Sequence, residues 1–146
     1  MYPIKSNNTA DLSQYLVVFD LIELGWIVSF PSSRDSSYDL IVENRTSAGN
    51  RKLETIQIKT LKGNQFTTSN RGRCSGREET TIGGNIRYNY SYADAGIDCM
   101  AGVDLPDNQV YYYPHRIYKH HDKINVKKVP NTPFKQNTFM VNQRPR

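Results

Sequence analysis

The chain has too few of several residue types to support whole classes of protein. It holds two cysteines and three histidines among 146 residues, and the two cysteines form no metal-ligand pair and no disulfide framework. No apolar run approaches the roughly 18 residues of a membrane-spanning helix. The N-terminus lacks the charged and apolar regions of a signal peptide. We therefore expect a cytoplasmic protein with reduced thiols and no membrane partner.

Acidic residues are outnumbered, and the excess of basic residues is unevenly distributed along the chain. The net charge is +5. Residues 1–60 are near neutral, residues 61–87 hold five Lys or Arg against two Asp or Glu, and residues 115–146 hold eight against one. Such segregation is expected if the basic segments bind a polyanion, although basic tails can also serve only solubility. Tyr and Asn interleaved with the arginines of the middle segment favour nucleic acid.

The length predicts a single domain of residues 1–146 with a core of its own. Asn8 or Thr9 can cap a helix that begins at Ala10, carries apolar residues at three-to-four spacing and ends at Gly25. Those apolar residues are Leu12, Leu16, Phe19 and Ile22. Strands are predicted at residues 26–30, 38–43, 52–60, 98–105 and 109–113, and a short helix near residues 115–121. Residues 64–92 form a long loop or extended hairpin, and the remainder of the chain is polar and irregular.

Two of the predicted strands place polar side chains together. Side chains at positions i and i+2 of a strand point to the same face. Gln57 and Lys59 should therefore project together beside Asp39 on the neighbouring strand, while Ile56 and Ile58 face the core. A carboxylate, an oxygen ligand and an ammonium on one sheet face suit a divalent cation and a water that attacks phosphorus. The same alternation also occurs on strands that merely face solvent.

The chain resembles the PD-(D/E)XK nuclease superfamily in the order of its predicted elements, a helix followed by three strands, and in the position of a carboxylate among them. The resemblance covers about residues 10–62 and, more loosely, residues 93–114. The segment ELGWIVSFPSSRDSSYDLIVE followed by IQIKT, and the later segment IDCMAGVDLPDNQVYYYP, are similar to the small cyanobacterial homing endonucleases encoded by group I introns. The resemblance implies an α/β, restriction endonuclease-like fold with a mixed sheet flanked by helices. Residues 64–92 would be a DNA-reading insertion, and residues 115–146 a basic C-terminal segment.

The resemblance also implies a set of catalytic residues. Asp39 matches the family's metal-binding aspartate, and Lys59 matches the lysine that orients or activates the attacking water. Gln57 stands where most members have Asp or Glu, and the backbone carbonyl of Ile58 would be a further ligand for Mg²⁺ or Mn²⁺. Gln14 stands where many members place a glutamate that faces the metal. The two glutamines remove charge from the expected site, so they place metal affinity and activity in question.

The expected function is site-specific, double-strand DNA cleavage with Mg²⁺, as in intron homing. One catalytic site per chain implies a homo-oligomer, a dimer or a tetramer. The residues expected to bind DNA are Arg71, Arg73, Arg77, Arg87, Lys127 and Lys128. Two alternatives are a structure-specific resolvase, which would need no long sequence-reading loop, and a DNA-binding protein that has lost catalysis.

Overall fold

A long helix precedes a mixed sheet and several short strands in the computed structural model. The structure describes residues 6–33, 36–45, 51–70, 78–82 and 85–137. Its elements in chain order are α1 (Ser6–Glu23), β1 (Ile27–Ser29), β2 (Leu40–Arg45), β3 (Arg51–Thr60), β4 (Gln65–Thr67), β5 (Ser69–Asn70), β6 (Glu78–Ile82), β7 (Asn85–Ser91), β8 (Cys99–Asp104), β9 (Gln109–Pro114), α2 (His115–Tyr118) and β10 (Lys123–Asn125).

The main sheet has the strand order β1-β2-β3-β8-β9. The pair β3 and β8 is parallel, and the other neighbours are antiparallel. A parallel pair needs a long crossover. Here the crossover contains the strands β4 to β7: β5, β6 and β7 form a small sheet in the order β5-β7-β6, and β4 pairs with β10, which follows β9 in the chain. The described part of residues 64–92 is thus strand, as the hairpin alternative predicted. The mixed sheet with helices agrees with the predicted restriction endonuclease-like α/β fold.

The main sheet is buried on both faces. On one face, Val17 and Leu21 of α1 pack against a cluster from β2, β3, β8 and β9 that includes Ile56 and Tyr112. On the other face, Tyr113 belongs to a second cluster, together with residues of the crossover and of α2. Because successive residues of a strand point to opposite faces, Tyr112 and Tyr113 are both buried.

The packed face of α1 differs from the predicted apolar stripe. Ser13, Val17 and Leu21 are buried against the sheet, whereas Phe19 and Ile22 of the predicted stripe are exposed. The helix is apolar on nearly all sides, so three-to-four spacing occurs on more than one face. The helix also begins at Ser6 rather than at Ala10, and Gly25 ends it with a positive φ of 83°, as predicted. Within the described residues, neither helix is long and apolar enough to cross a membrane.

The described part of the C-terminal segment packs against the core more than its polar composition predicts. Phe134 contacts the rings of Trp26 and Tyr112 edge-on, with ring centroids 4.9 Å apart in both pairs. The side chain of Asn137 is buried and donates a hydrogen bond of 2.9 Å to the carbonyl of Gly25. The end of α1 and the start of β1 are therefore covered by residues 134–137.

Candidate active site

Asp39 lies at the start of β2 and is fixed against β3 by two hydrogen bonds. Its backbone N–H donates to the carbonyl of Ile56 at 2.8 Å. Its carboxylate Oδ2 accepts a hydrogen bond of 2.8 Å from the backbone N–H of Ile58. The strand itself begins one residue later, at Leu40, rather than at Tyr38 as predicted. The side chain of Asp39 thus satisfies a strand donor next to Gln57 and Lys59.

Lys59 lies beside Asp39, near the C-terminal end of β3. Its direct partner on β8 is Gly102, and the space above this glycine is filled by the ring of Phe66. The ammonium of Lys59 lies over the ring of Tyr92, 5.1 Å from the centroid. Such a cation–π contact is worth about 0.5–2 kcal/mol, depending on desolvation. The lysine is therefore held by an aromatic neighbour on the crossover rather than free in solvent.

The two charges of the site are partly withdrawn from water. Burial raises the pKa of Asp39, and the Ile58 hydrogen bond and the charge of Lys59 only partly oppose this shift. Burial lowers the pKa of Lys59, and the charge of Asp39 partly opposes that. No ion pair joins the two side chains in the described part of the chain. Titratable groups whose pKa values are shifted by burial and by a neighbour of opposite charge are concentrated at functional sites.

The donors around Asp39 fit a hard divalent cation rather than zinc. Asp39, the amide of Gln57 and the carbonyl of Ile58 offer oxygen atoms on one strand pair. The Gln57 amide nitrogen lies 3.5 Å from that carbonyl, too far for a strong hydrogen bond. Among the described residues, no three His, Cys, Asp or Glu side chains form a metal-binding group. Mg²⁺ commonly uses one or two carboxylates, retained waters and substrate phosphates. Asp39, Gln57 and Ile58 could therefore hold it once DNA supplies the remaining oxygens.

Gln14 lies on α1, which packs against the sheet face opposite to Lys59. Its neighbour Ser13 is hydrogen-bonded to Thr60 through their hydroxyls at 2.6 Å, so this part of α1 lies at the same end of β3 as the site. No hydrogen bond joins Gln14 to Asp39, Gln57 or Lys59 where the structure describes them. The role of Gln14 in the site stays a prediction.

The structure describes three of the six residues predicted to bind DNA. Arg71, Arg73 and Arg77 lie outside the described residues. Arg87 lies on β7, where it pairs with Thr80 of β6. Lys127 and Lys128 are exposed in the turn after β10, where their backbone N–H groups bind the side chain and the carbonyl of Asn125. Their contacts with DNA stay predictions.

Three residues near the site were missed by sequence reasoning. Tyr92 lies 33 positions after Lys59, and nothing in the tyrosine-rich segment marks the one that contacts the lysine. Lys62 and Lys123 line a pocket that Lys59 also lines. Lys62 ends the patterned part of the sequence, but Lys123 carried no signal, because it reaches the pocket only through the pairing of β10 with β4.

Comparisons with known proteins identify the family and the fold. The sequence model of a family described as PD-(D/E)XK endonuclease matches residues 4–143. The fold is similar to that of a solved structure described as a bacterial homing endonuclease, I-Ssp6803I, with a TM-score of 0.58 and 18% sequence identity. That match covers 92% of this chain and 86% of the other. No curated protein sequence matches the chain. At this identity the structural likeness concerns the fold alone.

Proposed function

Because the chain belongs to the PD-(D/E)XK endonuclease family, we propose that it is a divalent-metal-dependent endonuclease that cleaves both strands of DNA at a specific site. The observation that carries the proposal is the attachment of the Asp39 carboxylate to the Ile58 amide, directly beside Lys59. A bound Mg²⁺ or Mn²⁺ would offset charge on the phosphate and favour ionisation of the attacking water.

The residues of the chain divide the remaining work. Lys59 orients the attacking water and offsets the negative charge that develops on the phosphate. Its lowered pKa leaves a larger fraction of Lys59 neutral at a given pH than for a fully solvated lysine, and only the neutral amine can accept a proton,. Asp39 supplies the negative charge for the cation, and Gln57 and Ile58 supply neutral oxygens. Gln14 would be the neutral counterpart of the glutamate that many members of the family carry on the first helix.

Homing to a long site is the finer part of the proposal. It is supported by the likeness of the fold to an enzyme described as a bacterial homing endonuclease and by the basic segment 61–87. Arginines pair with guanine in the major groove, so those of this segment would read bases. Lys127 and Lys128 would contact phosphates and set the position of the duplex.

The active unit is proposed to be a homo-oligomer of two or more copies. One chain carries one candidate site, and a duplex has two strands of opposite direction, which a two-fold axis matches. Leu12, Tyr15, Phe19 and Ile22 form an apolar stripe on α1, each between 46% and 62% exposed. The stripe offers on the order of 400 Å² of apolar surface, about half of what each partner gives to a standard interface. A second copy of the chain is therefore the proposed occupant of the stripe.

A second candidate is a DNA-binding protein of the same fold with weak or no catalysis. Asp39 is the carboxylate of the site, and glutamines stand at positions 14 and 57. A neutral amide binds a cation more weakly than a carboxylate does. This candidate predicts selective binding to duplex DNA without cleavage.

A cleavage experiment separates the two candidates. Binding sites are selected from a random duplex pool without metal and cloned, and linearisation of the plasmid is then measured over a range of Mg²⁺ and Mn²⁺ concentrations. The wild type should linearise the plasmid, and Lys59→Ala should lower the rate by about 10² to 10⁴-fold while binding persists. Gln14→Glu should raise the rate and lower the Mg²⁺ concentration that is required.

Lys52→Ala is the matched control, because Lys52 lies on the same strand but is exposed and paired with Glu54 at 3.2 Å. It should cleave at the wild-type rate. Cleavage by Lys59→Ala at that rate would refute the assignment of the site. Tight binding with no cleavage by the wild type or by Gln14→Glu would favour the second candidate.

A further inference from the structure

A basic pocket of about 310 Å³ lies beside the candidate active site and shares Lys59 with it. Lys62 and Lys123 also line it, together with Gln65 and Thr67. The ring of Phe66 forms an apolar wall, and among the described residues no carboxylate lines the pocket. The side chains that line it therefore combine three ammonium groups with neutral hydrogen-bonding groups.

The backbone fixes Lys62 at the edge of this pocket. Leu61 donates a hydrogen bond of 2.9 Å to the carbonyl of Val103, which extends β3 beyond its last residue. Lys62 and Gln65 then form a bridge across a tight turn, with hydrogen bonds of 3.0 and 3.4 Å in the two directions. Gly63 adopts a φ of 64° in this turn, a conformation that favours glycine. The backbone of Lys62 is thus fixed by the hydrogen bonds of this turn.

Lys123 reaches the pocket from a different part of the chain. It is the first residue of β10 and pairs directly with Thr67 of β4. The adjacent Thr68 is buried, and its hydroxyl donates a hydrogen bond of 2.5 Å to the carbonyl of His121. Its backbone N–H donates to the carbonyl of Asp122 at 3.0 Å. These bonds hold the backbone of Lys123 relative to that of Lys62 without any contact between the two lysine side chains.

The charges around the pocket are not neutralised by the residues that the structure describes. In the described ranges, neither Lys62 nor Lys123 forms an ion pair, and Lys59 has only the more distant charge of Asp39. Like charges that line one pocket repel each other, and a bound anion would relieve this repulsion. Ammonium groups only donate hydrogen bonds, so the ligand must be rich in acceptors.

We propose that this pocket binds one backbone phosphate of duplex DNA, adjacent to the phosphate that is cleaved at Asp39 and Lys59. The inference rests on the proposed function and adds a positioning contact to it. Because Lys59 lines both places, the two phosphates belong to neighbouring positions of one strand. The contact carries no sequence information, and it fixes the register of the strand over the carboxylate face.

The test measures the salt dependence of binding to a mixed-sequence duplex in EDTA, where cleavage cannot interfere. Each neutralised phosphate contributes about 0.9 to the slope of log K against log salt. Lys62→Gln and Lys123→Gln should each make the slope less steep. In the double variant the magnitude of the slope should fall by about 0.9 in total, which corresponds to roughly an eightfold loss of affinity at 0.1 M salt. Lys62→Arg and Lys123→Arg should keep the wild-type slope.

Lys52→Gln is the matched control, since Lys52 is an exposed lysine on β3 that pairs with Glu54 at 3.2 Å and lies outside the basic segments of the chain. It should leave the slope unchanged. If the Lys62 and Lys123 variants behave like this control while the wild type binds DNA, the pocket is not a phosphate site and the proposed function stands. If the double variant loses about 1.8, two separate phosphates are bound, and the shared pocket is refuted. Failure of the wild type to bind duplex DNA would overturn both proposals.

Discussion

Asp39 and Lys59 occupy surroundings that disfavour both of their charges. Burial raises the pKa of Asp39 and lowers that of Lys59, and their mutual attraction does not reverse either shift. A desolvated pair without close ion pairing contributes little to stability. The protein keeps it although neutral side chains would cost less, which is expected of residues that serve a reaction.

The first prediction concerns this cost. The ionised Asp39 destabilises the fold at pH above its ordinary value of 3.8, and the protonated Lys59 destabilises it at pH below its ordinary value of 10.5. At pH 7 both costs are present. Without metal, Asp39→Asn combined with Lys59→Met should raise the free energy of unfolding by about 1 kcal/mol, measured by denaturant titration. Each single variant should be less stable than the double variant, because it leaves one buried charge without the attraction of the opposite charge.

Divalent metal should reverse this order. A cation that binds the folded wild type stabilises it, and at ten times its Kd the gain is about 1.4 kcal/mol, or roughly 3–5 °C in Tm for a chain of this length. The double variant should gain nothing from Mg²⁺ or Mn²⁺. A double variant that is less stable than the wild type without metal would show that the pair serves the fold.

The sequence predicted which candidate residues the paired strands bring together, although their catalytic roles stay predictions. Asp39, Gln57 and Lys59 share a face because they lie at fixed spacings on two paired strands. Tyr92 and Lys123 could not be found in this way, since their positions depend on where the crossover and β10 fold back onto the sheet. Local pattern determines which way a strand residue points, and tertiary packing determines what it meets.

At the scale of elements, strands were predicted better than the helix face. The strands β8 and β9 and their turn match the prediction within two residues. The helix α1 has apolar residues on both sides, so periodicity alone could not select Val17 and Leu21 over Phe19 and Ile22. Tertiary packing decides which residues are buried, because α1 contacts the sheet with only one of its faces.

The second prediction concerns Gly102 in β8, where a side chain is sterically excluded. A Cβ at this position would lie 2.6 Å from Cε1 and 2.8 Å from Cδ1 of Phe66, a buried ring that also forms a wall of the basic pocket. Gly102→Ala should therefore lower the free energy of unfolding by about 1–3 kcal/mol, as overpacked cores do. Thermal denaturation measures the loss.

Displacement of Phe66 should also disturb Lys59, which pairs with Gly102 in the sheet. We expect slower cleavage by Gly102→Ala at a temperature where the variant is folded. Gly102→Ala combined with Phe66→Leu is the compensating control, because a smaller side chain makes room for the methyl group. Equal stability of Gly102→Ala and the wild type would show that the ring moves at no cost.

At the scale of the whole molecule, the order of the elements identified the fold, and the resemblance to PD-(D/E)XK nucleases is confirmed by the family match. The C-terminal segment was the main departure. Its polar composition predicted an irregular basic arm, yet Phe134 and Asn137 pack against the core at the end of α1. Two residues are enough to anchor such a segment, and composition averaged over 32 residues does not reveal them.

The last prediction concerns the apolar stripe of α1, formed by Leu12, Tyr15, Phe19 and Ile22. An apolar groove of about 380 Å³, lined in part by Leu12, Leu16 and Leu105, continues this surface. Contiguous exposed apolar surface of this size marks interaction sites in soluble proteins. Phe19→Lys with Ile22→Lys should shift the protein from oligomer toward monomer by at least tenfold in Kd, because two charges would be buried without partners. Sedimentation equilibrium over a range of protein concentrations measures the shift.

Leu53→Lys is the control for this experiment, since Leu53 is a similarly exposed apolar residue on β3 and lies outside the stripe. It should associate as the wild type does. The stripe variant should still bind duplex DNA, because the basic pocket lies on the other face of the sheet, but it should nick plasmids rather than linearise them, since one copy cuts one strand. A stripe variant that stays oligomeric and linearises plasmid at the wild-type rate would exclude α1 as the interface. A monomeric wild type that linearises plasmid would show that a single site cuts both strands in turn.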